Sequence, residues 1–222
     1  MSSLFVRDGI AIKKLAMAFI ISFLAMLDPM LFGATGLYIT MAIIGVNMEF
    51  ITLFLISSDQ ENNGLKFLFT TPITRKQYVT EKFSILLALM IDSFVLTIIA
   101  MYIFHNLLNW SVEEQSLINQ IALVCMAITV VGFALIPLQI KFGPTKTQMF
   151  VSGIGAAVVL ILGLASWIFT KTDFGQNAWD KLMELYIDDG FTPFMIAAGL
   201  VTIVILALTY WASLRSVERL EF

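Results

Sequence analysis

Six long apolar runs separated by short polar segments dominate the chain, at residues 15–31, 37–56, 84–104, 118–138, 151–169 and 191–211. An apolar helix of about 20 residues crosses a hydrocarbon layer of ~30 Å. Backbone N–H and C=O groups find no water inside lipid, so a crossing segment must be a helix or belong to a closed barrel. The short alternating strands of a barrel are absent from the pattern. The pattern predicts an all-α polytopic membrane protein, a single domain over residues 1–222 with six transmembrane helices. The first run follows Lys13 and Lys14 with no small-x-small cleavage site behind it, and is expected to be an uncleaved anchor.

Composition agrees with the pattern. Apolar residues make up 59% and charged residues 13%, against roughly 25% charged in soluble domains. The placement of charge says more than the net −3. Arg7, Lys13 and Lys14 precede the first run, Lys66, Arg75, Lys76 and Lys82 lie between the second and third, Lys141 and Lys146 between the fourth and fifth, and Arg215 and Arg219 follow the sixth. Only Lys171 and Lys181 fall on the other side. The positive-inside rule then puts both termini in the cytoplasm.

Residues 4–14 form an amphipathic segment whose Phe5, Ile10 and Ile12 are expected at the lipid boundary, with Arg7, Lys13 and Lys14 at the headgroups. One further segment has helical periodicity. In the outer loop before the sixth run, Trp179, Leu182, Met183 and Tyr186 recur at helical spacing, with Asp180, Glu184 and Asp188 facing elsewhere. This outer amphipathic helix is either a gate-like element or a plain shield over the spans.

Candidate chemistry is sparse. Cys125 lies in an apolar run and has no second cysteine to pair with, and His105 has no companions at metal-ligand spacing, so no metal site is expected. No phosphate-binding loop, zinc-protease motif or nucleophile elbow occurs. The chain is expected to be no enzyme, to hold no cofactor of its own and to bind no nucleic acid. Asn47 and Glu49 in the second run and Asp92 in the third are the intramembrane polar residues. Both carboxylates sit roughly 12 Å above the inner interface at 1.5 Å per residue. A carboxylate facing lipid there costs about 2.5–3.5 kcal/mol on insertion scales. They are expected either to form a polar layer lining a translocation path or to pair structurally between helices.

The segment from Phe69 to Phe83, FTTPITRKQYVTEKF, carries the strongest local signal. Thr74-Arg75-Lys76-Gln77 fits a capping box, in which Thr74 and Gln77 satisfy each other's backbone N–H groups. Pro72 lacks a backbone donor and biases Thr71 away from helix. A new helix is expected from Arg75 through Tyr78 and Lys82 into the third span. Ile73 and Tyr78 are expected to be exposed on the resulting elbow, which marks it as a docking element rather than a plain topogenic loop. A lipid anchor is the alternative.

Thr71, Pro72, Thr74, Arg75, Tyr78 and Lys82 resemble the first cytoplasmic loop of the small permease subunits of ABC-2 type exporters, with threonine where leucine usually precedes the proline. Lys141, Phe142, Gly143 and Lys146 are similar to the Lys-Phe-Gly-x-x-Lys second cytoplasmic loop of short bacterial members. The resemblance implies that residues 4–14 form an N-terminal interfacial helix and that residues 71–78 with Lys82 form a coupling helix seated in a cleft of an ABC ATPase subunit. It also implies a working unit of two permease chains, identical or paralogous, and two ATPases that hold ATP and Mg. The expected place is the bacterial plasma membrane, among its lipids. The expected cargo is a hydrophobic or amphipathic peptide, lipid-like molecule or drug, as in exporters of amphipathic peptides and bacteriocins. A stand-alone immunity or sensor protein that binds a peptide is the competing expectation. An intramembrane enzyme is disfavoured because Glu49 and Asp92 match no catalytic motif.

Overall fold

In the computed structural model of the chain, residues 16–61, 64–65, 70, 73–108, 114–171 and 192–218 are described, those at 16, 151–171 and 192–193 by their backbone alone. The interfacial segment 4–14, Thr71, Pro72 and the outer helix bearing Trp179, Leu182, Met183 and Tyr186 lie outside the described residues. Everything regular among the described residues is helical: α1 (Ala16–Ala25), α2 (Asp28–Phe32), a 3-10 turn (Gly33–Thr35), α3 (Gly36–Gln60), α4 (Arg75–Leu108), α5 (Glu114–Lys171) and α6 (Thr192–Glu218).

Four stretches are long and apolar enough to cross a membrane: Met17–Gln60, Arg75–Leu108, Glu114–Phe150 and Phe194–Glu218. The first, at 44 residues, would extend about 66 Å as one straight helix, twice a hydrocarbon layer. It folds back instead. Met26 and Leu27 form a turn, Pro29 sits in the first turn of α2 where its missing N–H is harmless, and Gly33 takes φ 63°. A Cβ on Gly36 would lie 2.5 Å from the Asp28 carbonyl oxygen, so only glycine lets the two segments approach. Thr40 Oγ1 then donates to the Ala25 carbonyl oxygen at 2.9 Å, capping the carbonyl that the end of α1 leaves free.

Cross-helix contacts set the directions. Asp59 at the end of α3 meets Lys82 near the start of α4, and Thr97 farther along α4 reaches Met41 near the start of α3, so the two are antiparallel. Tyr38 bonds Gln120 and Gln60 bonds Gln139, so α3 and the first limb of α5 are parallel. Arg75 and Thr80 of α4 meet Glu218 and Tyr210 of α6, so these two are antiparallel.

Buried hydroxyls are interspersed in the apolar interior, and the outer surface is apolar as well. Thr52, Ser93, Thr97, Thr129 and Ser213 are buried, their hydroxyls donating to carbonyls three or four residues back in their own helices. Phe23, Leu87, Ile91, Val95, Ile203 and Leu208 are among the large apolar side chains that point outward. Lipid solvates such a surface at no cost, and the hydroxyls satisfy themselves locally, so the arrangement suits a bilayer. Small residues close the gaps, as where a Cβ on Gly45 would come within 3.1 Å of the Ile128 side chain.

Two buried clusters fill the interior. One, around Leu37, Met41, Met101, Leu117 and Ile121, lies at the end where α3 begins. The larger, around Met48, Ile56, Tyr78, Phe83, Phe133 and Val217, lies toward the end where α4 begins. There Phe83 stacks tilted on Phe133 at 4.9 Å and edge-on to Tyr210 at 5.2 Å.

Candidate functional site

The end of the bundle at which α4 starts gathers most of the residues singled out above. The capping box forms as its spacing predicts: Gln77 N donates to Thr74 Oγ1 at 3.2 Å and Thr74 N donates to Gln77 Oε1 at 2.9 Å. These bonds satisfy donors that a helix start leaves free and fix its first residue at Arg75. Arg75 does not point away from the molecule. Its Nη1 donates to the Glu218 carbonyl oxygen at 2.7 Å, a cation on the negative end of α6. One turn farther on, the Thr80 and Tyr210 hydroxyls share a 2.9 Å hydrogen bond.

Two expectations about this element need correction. Tyr78, expected to be exposed for docking, is fully buried in the larger cluster, and Ile73 packs half-buried against the same cluster. Lys82, read as part of the docking element, is also fully buried and pairs with Asp59 Oδ2 at 2.9 Å, with its Nζ 5.3 Å from the Tyr78 ring centre. The cause is rotation of α4 about its axis. Tyr78, Val79, Lys82, Phe83, Leu86 and Met90 fall on one inward stripe at helical spacing. Thr74 and Lys76 remain on the outer surface.

Beside this ion pair, Gln60 Nε2 donates to the carbonyl oxygens of Gln139 at 2.9 Å and Ile140 at 3.2 Å. Gln139 Nε2 donates in return to Ser57 Oγ at 2.6 Å. Sequence reasoning missed Ser57, Asp59, Gln60, Gln139 and Tyr210. Their one available signal was a cluster of polar residues at the ends of apolar runs, and such clusters also occur at plain membrane boundaries.

Lys141, Phe142, Gly143 and Lys146 follow at once. The expected loop is reduced to one non-helical residue, Gly143, at φ 78° and ψ 174°, a conformation reserved for glycine. It divides α5 into limbs 114–142 and 144–171, with Pro144 opening the second and Thr147 Oγ1 donating to the Gly143 carbonyl oxygen at 2.8 Å. Lys141 folds its Nζ over the Phe142 ring at 4.8 Å, and Lys146 is exposed.

The three intramembrane polar residues part company. Asn47 Nδ2 donates to its own helix at the Ile43 carbonyl oxygen, 3.0 Å away. Asp92 is exposed on the outer face of α4. Glu49 is buried against α5, where a Cβ on Gly132 would lie 2.6 Å from its Oε1. Glu49 also lines a groove of about 630 Å³ between α3 and α5, which extends to Ser57, Gln139, Thr147 and Gln148. Among the described residues no cluster of His, Cys, Asp or Glu is suited to hold a metal.

No curated protein and no solved structure matches the chain. Residues 3–218 match the sequence model of the ABC-2 family transporter proteins, nearly end to end. Helices whose apolar faces turn outward and whose buried hydroxyls are satisfied within them suit a membrane-spanning protein. This multi-pass membrane protein belongs to the ABC-2 transporter family, whose permeases associate with an ABC ATPase.

Proposed function

We propose that the chain is the permease subunit of an ATP-driven exporter in the bacterial plasma membrane, forming the path for a hydrophobic or amphipathic substrate. The family match over residues 3–218 carries this reading. ATP and Mg belong to the partner ATPase, and hydrolysis occurs there. Six passes are supported by helix direction. With α3 and the first limb of α5 parallel to α6, the chain needs one return crossing between them, and the helical limb 144–171 has the length for it. The basic residues at the α4 end then lie in the cytoplasm with both termini.

The start of α4 is the coupling element, in a modified form. Thr74 and Lys76 face the ATPase, while Arg75, Tyr78 and Lys82 transmit its movement because they are fastened to α6, the core and α3. Rigid elements pass on a rigid-body motion that a loose loop would absorb. A second permease chain is supported by Asp92. Its carboxylate is exposed midway along α4, a position that excludes contact with lipid tails and calls for a covering protein surface or water.

Purification in mild detergent with the ATPase encoded alongside tests the reading. The ATPase should co-purify with the chain, and Lys76→Glu should reduce that association and ATP-dependent export while leaving the permease folded. A chain that stays alone and is active without any ATPase would overturn the proposal.

A further inference from the structure

We propose that the groove between α3 and α5 is a binding site for an apolar organic cation, with Glu49 as its counter-ion. Glu49 stands 11 residues from the α3 end at Gln60, about 16 Å into the helix at 1.5 Å per residue. It is only 6% exposed, and no side chain pairs with its Oε1. Buried carboxylates at such depth pair with a cation or line a pathway. Among the described residues no such cation is built into the groove. Its lining contains no lysine, arginine or histidine. The limb 144–171 carries two basic residues, Lys146, whose side chain is exposed, and Lys171 at its far end. Asn47, two residues away, has turned its amide to Ile43.

Three of the other polar groups of the groove are engaged, and Gln148 is exposed. Gln139 donates to Ser57, and Thr147 donates to the Gly143 carbonyl oxygen. The remaining wall is apolar, with Phe50 and Phe54 at its rim, 57% and 46% exposed. A carboxylate within an apolar cleft edged by aromatic rings attracts a cation with an apolar body, through charge and through the ring faces. An anion would meet only the carboxylate's lone pairs. Gly132 is part of the construction, because any side chain there would occupy the space of the Glu49 carboxylate.

As the substrate class of the exporter this assignment rests on the reading above, but binding can be measured on the full chain without an ATPase. The chain in nanodiscs of zwitterionic lipid is dialysed against tetraphenylphosphonium, or against tetraphenylborate, which has the same shape and the opposite charge. Empty discs are subtracted. The wild-type chain should hold the phosphonium saturably and about tenfold more tightly than the borate, and Glu49→Gln should weaken phosphonium binding by about tenfold while leaving the borate unaffected. Three results would each overturn the site: no saturable phosphonium binding, equal affinity of the wild-type chain for the two ions, or equal phosphonium binding by wild type and Glu49→Gln. The charge preference of the wild-type chain decides the matter even if the variant folds poorly. Binding without ATPase-dependent export would leave this site standing and remove only the exporter reading.

Discussion

Lys82 and Glu49 are both charged residues buried in the same bundle, yet their surroundings differ in kind. Lys82 meets Asp59 at 2.9 Å and lies over the Tyr78 ring, and beside it Gln60, Gln139 and Ser57 close a chain of hydrogen bonds between α3 and α5. Glu49 meets a glycine and a groove. Low dielectric makes an internal pair rigid and an incomplete one costly, so the first arrangement fastens helices and the second waits for something to complete it. The fastened region also joins α4 to α6 through Arg75 and Thr80, so three helices are tied to the start of α4. On the reading proposed above, the fastened region would receive force from the ATPase and the groove would receive cargo.

The contrast can be broken most directly at the ion pair. Lys82→Ala takes the ammonium away from the buried Asp59 carboxylate, which should destabilise the protein by about 3–5 kcal/mol. Thermal unfolding in detergent would register this as a large drop in Tm. Adding Asp59→Leu to Lys82→Met should recover most of it, since two apolar residues remove the buried charge altogether. A small effect from Lys82→Ala alone would show that the pair fastens nothing.

The groove is expected to respond less, and with a sign that depends on Glu49. Gly132→Ala places a methyl group in the carboxylate's space, at a cost of about 1–3 kcal/mol from overpacking. In a Glu49→Ala background the clash is gone and the helix preference of alanine remains, so the same change should stabilise by up to about 1 kcal/mol. A double-mutant cycle followed by thermal unfolding separates the two, and an unchanged sign would mean that Gly132 does not serve Glu49.

Smaller again is the loss of the helix cap. Thr74→Ala removes the acceptor for Gln77 N and should cost about 1 kcal/mol, seen as faster amide exchange in the first turn of α4. At the bottom of the scale, Lys76→Glu should move stability by less than about 0.5 kcal/mol, because its side chain is exposed. Any clear drop in Tm there would mean that Lys76 is an internal tie like Lys82 and not a contact for a partner.

The capping box was readable from four consecutive residues because it is a local bond between positions three apart, and local geometry is the same in every helix start. The Asp59–Lys82 pair was not readable. Its partners lie on different helices, and hydropathy carries no information about how one helix is turned toward another. Tyr78 shows the same gap. Polar neighbours suggested the surface, but its place on the inward stripe of α4 puts it in the core. Glu49 and Asp92 stand at similar depth along the sequence, yet one faces α5 and the other faces out.

What the amino-acid order determined alone was the membrane environment, the helical class, the start of α4 and the family resemblance, because those depend on transfer free energies and on contacts within a single turn. Only the tertiary structure decided which polar groups tie helices together and that Glu49 faces a groove. That choice depends on helix rotation and on glycines such as Gly36 and Gly132, whose value appears only when another chain segment is pressed against them.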